Sequence, residues 1–223
     1  GHCSHEENVN VPCPKVTFDY IDLSLNWPPG MCLTKKCKPY REKWSIHGTW
    51  PQNAHGRHPE SCCFHRLLNQ KVIDELYEDL SENWSSLYGN NKKFWQHEWE
   101  KHGTCSYASK QLLGQENYFK QTLKLFKKID LNTWLAKRSI NPKPLGSKSE
   151  YKLEDIRDAI RDYHGKRVRF ACGILKDERA KKVAILQGVH LCFDKVSLEA
   201  VDCLKNDSTE CGNDSVHFIL KKQ

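Results

Sequence analysis

Two short stretches of the chain gather groups that could move protons. They are Trp44-Ser45-Ile46-His47-Gly48-Thr49-Trp50-Pro51 and Phe94-Trp95-Gln96-His97-Glu98-Trp99-Glu100-Lys101-His102-Gly103-Thr104-Cys105. His47, His97 and His102 stand there with Glu98 and Lys101, inside a frame of tryptophans and glycines. An imidazole with an ordinary pKa of about 6.5 takes or gives a proton in mildly acidic water. An ammonium or a second imidazole can stabilise anionic oxygens while that happens. The set suffices to take one proton, give another and hold a phosphate between them.

The second stretch reads as a helix opening near Phe94. His97 and Lys101 then share one face, and Glu98 and His102 share the next, because residues four apart are neighbours on a helix. Trp95 and Trp99 pack another side, Gly103 is placed to end the helix, and Cys105 could tie that end down through a disulfide. His-Glu also begins a zinc-protease signature, but that motif needs a second His where Lys101 stands, so no metal site is expected. The first stretch places His47 at a strand end before a turn at Gly48, with Trp50-Pro51 as an aromatic wall. Two histidines on opposite sides of a scissile phosphate are the minimal apparatus for RNA transphosphorylation. The bland alternative stays open on residue types alone, since a His beside Gly is often structural and Trp-rich segments usually pack cores.

These groups need a scaffold, and 223 residues are enough for one domain with a well-formed core. No repeat, low-complexity tract or linker divides the chain, so a single domain over residues 1–223 is expected. Val16–Trp27 reads as a strand whose apolar phase changes near Tyr20, which suggests a bulge there, and Pro28-Pro29-Gly30 ends it. Leu67–Trp84 carries apolar residues every fourth position, and Glu116–Ile129 and Leu153–Tyr163 are further helical patterns. Val168, Phe170, Cys172 and Ile174 alternate, as do Val189, Leu191 and Phe193. Helices and strands mix without regular βαβ alternation, so the expected fold is α+β with a largely antiparallel central sheet packed with helices.

Eleven cysteines exceed ordinary cytosolic usage and point to an oxidising compartment. Adjacent Cys62-Cys63 do not provide zinc-ligand spacing. Three acceptor sequons, at Asn83, Asn206 and Asn213, agree with export and predict N-linked glycans. No apolar leader follows Gly1-His2-Cys3, which fits a processed chain as well as a cytosolic one; no apolar run is long enough to span a bilayer. A secreted or lumenal protein is expected. The formal net charge of +7 favours polyanionic partners such as RNA, although scattered lysines are mostly a solvated surface.

The two stretches resemble the active-site segments of the ribonuclease T2 family, the acid ribonucleases of fungi, plants and animals. The family's first segment reads His-Gly-Leu-Trp-Pro, here His47-Gly48-Thr49-Trp50-Pro51. Its second, Phe-Trp-x-His-Glu-Trp-x-Lys-His-Gly-Thr-Cys, is matched in full from Phe94 to Cys105. The resemblance runs over roughly residues 13 to 211, weakly after Cys105. It implies a disulfide-stapled fold and a secreted or lysosomal endoribonuclease that needs no metal or other cofactor. Such an enzyme cuts single-stranded RNA, not DNA, through a 2′,3′-cyclic phosphate to a 3′-phosphate.

By position, the general acid falls on His47, the general base on His102, the phosphate-binding histidine on His97 and the transition-state pair on Glu98 and Lys101. Trp50 would stack on one base and Phe94 would line a second base site. The resemblance also implies disulfides Cys32–Cys37, Cys62 or Cys63 with Cys105, Cys172–Cys211 and Cys192–Cys203. Cys3–Cys13 is added as a guess, leaving one of the adjacent pair over, in a chain expected to be a monomer. Two departures stand out. Thr49 replaces the usual Leu and is expected to make the first base pocket roomier and more polar. Gln52 stands where some members carry an Asp that bonds the base.

The rival reading is a secreted binding or effector protein that kept the fold and lost turnover. Such a protein would be expected to lack a catalytic histidine, and all three are present. An active ribonuclease can also serve as a toxin or signal.

Overall fold

The computed structural model describes residues 12–63 and 66–221. In chain order the main elements are β1 (Tyr20–Asn26), α1 (Pro28–Thr34), β2 (Ser45–Gln52), α2 (Gln70–Asn83), α3 (Asn91–Lys101), α4 (Gln115–Lys127) and α5 (Leu131–Ala136). They continue as β3 (Glu150–Lys152), α6 (Leu153–His164), β4 (Arg169–Lys176), β5 (Lys182–Asp194), β6 (Ala200–Val201) and β7 (Ser215–His217). The strands form one sheet in the order β2-β1-β5-β7-β3, with β4 and β6 also pairing to β5. Pairing is antiparallel apart from β5 with β7. This is the α+β, largely antiparallel architecture expected from the alternation of patterns.

The phase change read in β1 has a different cause from the one expected. Tyr20 through Leu25 are all buried, so both faces of β1 are covered and an alternating pattern has nothing to report. The bulge exists, but it lies farther along, in the pairing with β2. Ser24 pairs with Gly48 and Leu25 with Ile46, which leaves His47 as the extra residue.

Pro28 does end β1, as the first residue of α1, where its missing N–H costs nothing. The expected helix over 67–84 is α2, begun by the Asn69 side chain accepting from the Lys71 N–H. Helix α6 stops at Gly165, which takes the left-handed conformation at φ 81°. Gly103, by contrast, is no helix stop. The chain continues from α3 into a 3-10 segment, Gly103–Ala108, and Gly103 is small because a side chain there would strike the Trp99 ring.

Five disulfides join the described residues. Cys32–Cys37, Cys172–Cys211 and Cys192–Cys203 pair as expected, and Cys62 rather than Cys63 takes Cys105. The Cys3–Cys13 pairing is overturned, because Cys13 bonds Cys63. Neither member of the adjacent pair is left over, since the two side chains reach different partners. Cys3 lies outside the described residues. Of the three sequons, Asn206 and Asn213 are exposed. Asn83 is buried, with its amide donating to the Asp79 carbonyl.

Thr49 also departs from expectation. It is fully buried and turned away from any base pocket, with its hydroxyl 2.7 Å from that of Thr122 on α4. Thr122 donates to the Tyr118 carbonyl, so Thr49 is the donor of the pair. Thr49→Leu should cost about 1–3 kcal/mol of stability, from an overfilled site and an unpaired Thr122 oxygen. Denaturant unfolding would measure this, while base preference in dinucleotide cleavage stays unchanged.

Candidate active site

The bulge sets the geometry of β2. An extra residue in one strand re-aims the side chain it carries, and here His47 and Trp50, three apart, both reach a cleft of about 330 Å³. The backbone around them is pinned. Trp84, fully buried, donates its indole N–H to the His47 carbonyl at 2.8 Å, and Trp95 donates to the Trp84 carbonyl at 2.7 Å. From the other side, the Tyr118 hydroxyl donates to the Thr49 carbonyl at 2.9 Å. His47 is therefore a bulge residue inside a strand, not a residue at a strand end. Gly48 makes no turn: a side chain there would run into the Glu98 carboxylate and the Trp50 indole nitrogen.

Helix α3 brings the remaining groups. Its first turn is capped by Asn90, whose side chain accepts from the Lys93 N–H. Its last turn carries Lys101, followed by His102 at the C-cap, where the negative end of the helix dipole favours cationic groups. His97, Glu98, Lys101 and His102 all line the cleft with His47, as the four-residue spacing predicts. The disulfide Cys62–Cys105 and the Ser61 N–H donating to the Lys101 carbonyl at 2.8 Å hold this helix end.

Glu98 is the centre of the arrangement. It is 1% exposed; one oxygen lies 3.3 Å from His47 Nε2, and the other lies 3.9 Å from His102 Nε2 and accepts the Trp50 indole N–H at 2.9 Å. Burial alone would raise its pKa. The hydrogen bond and charge of His47, then the charge of His102 and the Trp50 N–H, outweigh burial and hold the carboxyl below its ordinary value. Glu98 is thus an anion between two imidazoles. His102 is driven the other way: burial lowers its pKa to about 4, against the opposing pull of Glu98 and with help from the nearby charge of Lys101.

Trp50 binds these parts together. Its ring stacks on His102 at 4.9 Å between centroids and meets His47 edge-on at the same separation. One face of the indole is therefore occupied by protein. Phe94, half-buried, lies 5.8 Å from the His47 ring.

Sequence reasoning missed part of the wall. His58, Glu60, Arg169 and Lys205 line the cleft, as does Gln52. Glu60 binds His58 at 2.5 Å and lies 3.7 Å from Lys101. No spacing rule ties a loop such as Arg57–Glu60 to a helix some forty residues later. Arg169 did leave a trace: it is held by Asp22, a lone acid in the apolar run Tyr20–Leu25.

Gly48→Ala should displace both Glu98 and Trp50 without disturbing the core. A misplacement of about 1 Å at reacting groups can cost about a hundredfold. A drop in kcat of that order with an unchanged circular dichroism spectrum is the expected result.

The Ribonuclease T2 family profile matches residues 18–203. A mouse protein named Ribonuclease T2-A is 34% identical over 185 residues, covering 81% of this chain and 67% of its own length. The Extracellular ribonuclease LE of tomato is 32% identical over 210 residues, covering 90% of this chain and 86% of its own. Among solved structures, RNase NT in complex with 5′-AMP is 31% identical with a TM-score of 0.78, covering 91% of this chain and 98% of the other.

Proposed function

The chain belongs to the ribonuclease T2 family and is a ribonuclease, and from that premise we propose that it cuts single-stranded RNA by two-step acid–base chemistry without a metal ion. The observation that carries the proposal is the buried Glu98 carboxylate flanked by His47 and His102 in one cleft. His102, kept neutral by burial, takes the proton of the ribose 2′-hydroxyl, and the resulting oxygen attacks phosphorus. His47, paired with Glu98 when protonated, gives its proton to the leaving 5′-oxygen. The products are a 2′,3′-cyclic phosphate and a free 5′-hydroxyl. In the second step His47 takes a proton from water and His102 returns one to the 2′-oxygen, leaving a 3′-phosphate.

Lys101 and His97, at the rim, stabilise the extra negative charge on the five-coordinate phosphorus. Glu98 orients the two imidazoles and balances their charge. Trp50, whose stacking on His102 uses one indole face, holds the histidines apart and offers only its remaining surface to a base. Phe94 sits beside His47 on the side proposed for the second base. The ligand named with RNase NT, a nucleoside monophosphate, fits a cleft of this kind.

The five disulfides support an oxidising destination, outside the cell or in a lysosomal or vacuolar lumen. The exposed Asn206 and Asn213 are the proposed glycan sites. Among the described residues no helix is long and apolar enough to cross a membrane. A monomer acting on RNA is the form proposed.

The purified protein should cut RNA in EDTA and leave DNA and 2′-O-methyl RNA intact, since the nucleophile is the 2′-hydroxyl. 5′-Phosphate ends, or loss of activity on chelation, would sink the proposal. His47→Phe and His102→Phe should each lower kcat by about 10²–10⁴-fold or more, with folding preserved by circular dichroism.

The pH profile follows from His102. A base with its pKa lowered to about 4 stays neutral, and competent, at every pH above that value. The acidic limb of kcat/KM, which reports the free enzyme, should therefore fall near pH 4 rather than at the ordinary histidine value of about 6.5. A limb at 6.5 in wild type, or one unmoved in His102→Asn, would assign the base elsewhere.

A further inference from the structure

The cleft has a second cationic end that the proton transfers do not use. Arg169 on β4 and Lys205, just after the Cys192–Cys203 bridge, line it together with Gln52. They lie on the His190 side of Trp50, whose ring is 5.7 Å from His190 and stacks on His102. This end is built rather than incidental. Asp22, fully buried, takes His190 Nδ1 on one oxygen at 2.8 Å and Arg169 Nη2 on the other at 3.0 Å. The guanidinium is thereby fixed with its side chain 16% exposed. Its Nε is buried and has no hydrogen-bond partner.

Lys205 is placed with equal care. Arg167 donates to the carbonyls of Cys203 and Lys205 at 3.0 Å each, which fixes the segment carrying it. The Lys205 ammonium rests on Gln52 Oε1 at 3.1 Å. Asp22, the carboxylate that holds Arg169, is consumed by its two partners. What lines this end of the cleft is a guanidinium and an ammonium, the second resting on the neutral oxygens of Gln52 and Gly56. A buried ionic cluster is expensive to assemble, and this one holds a guanidinium at the wall of a cleft built for a polyanion.

We infer that Arg169 and Lys205 form a second anion subsite, which takes the non-bridging oxygens of a phosphate next to the one that is cut. The inference rests on the ribonuclease reading for the identity of its ligand, but binding tests it without turnover. The probes are a 2′-deoxy dinucleoside monophosphate, which has no nucleophile, and the same molecule carrying an added 5′-terminal or 3′-terminal phosphate.

By calorimetry at low salt, one of the two terminal phosphates should tighten wild-type binding about tenfold, as a charge-assisted contact to two cations does. That gain should vanish at high salt. Lys205→Gln should lose most of it while binding the probe without a terminal phosphate within about twofold of wild type. Arg169→Lys, which keeps a cation beside Asp22, should lose part of it. Arg169→Gln would leave a buried charge uncompensated and is not relied on.

Equal binding of all three probes by the wild type would overturn the inference. So would a Lys205→Gln variant that keeps the phosphate gain and instead changes preference among bases, which would make this end a base pocket. A protein that shows the phosphate gain but fails to cut RNA would leave the subsite standing and remove the ribonuclease reading.

Discussion

A carboxylate that is 1% exposed must find its donors inside the protein or give up its charge, and Glu98 keeps its charge through the Trp50 indole and the two imidazoles on either side. That requirement propagates outward. Gly48 is needed because the carboxylate and the indole occupy the space a side chain would take. His47 must leave the strand at the bulge to reach one oxygen, and α3 must end where it does for His102 to approach the other. Buried indoles at Trp84 and Trp95 then hold the backbone that these demands displace from regular geometry.

Much of this was legible in the sequence because the chemistry sits in continuous segments. The four-residue spacing of His97 and Lys101, and of Glu98 and His102, correctly placed them on α3 in one cleft with His47. The helical patterns of α2, α4 and α6 and the alternation of β4 located those elements to within a few residues, whereas the alternation Val189–Phe193 caught only the second half of β5, which begins at Lys182 and is buried on both faces there. β1 was misread because, with both faces covered, its apolar residues carry no phase. The glycines misled in a related way. Gly48 suggested a turn and Gly103 a helix stop, yet both are small because an aromatic or a carboxylate presses against them, a long-range fact that local sequence does not encode.

The remaining errors are failures of distance. Nothing in the spacing tells Cys62 from Cys63 or predicts that Cys13 is the second partner. Nothing local shows that Thr49 turns toward Thr122 on α4 and away from the cleft. The cations at Arg169 and Lys205 reach the site through β4 and a loop near the end of the chain, more than one hundred residues from His47 in sequence. The clue was present as a single acid in an apolar strand, since such an acid must be paired.

The adjacent cysteines put two covalent bonds at one point of the chain, one running forward to the end of α3 and one back to the residues before β1. The other bridges staple α1, β4 and β5, and only Cys192–Cys203 among them comes near the cleft, on the side of His190 and Lys205. A thiol-rich solvent such as the cytosol would thus cut, at Cys62 and Cys63, the ties that restrain the loop bearing His58 and Glu60 and the helix end bearing His102. The sheet, held by its buried apolar faces, does not depend on those two bonds. A ribonuclease arranged this way has its chemistry, more than its fold, tied to the redox character of its surroundings, and a molecule astray among cellular RNA would lose restraint where restraint matters for cutting.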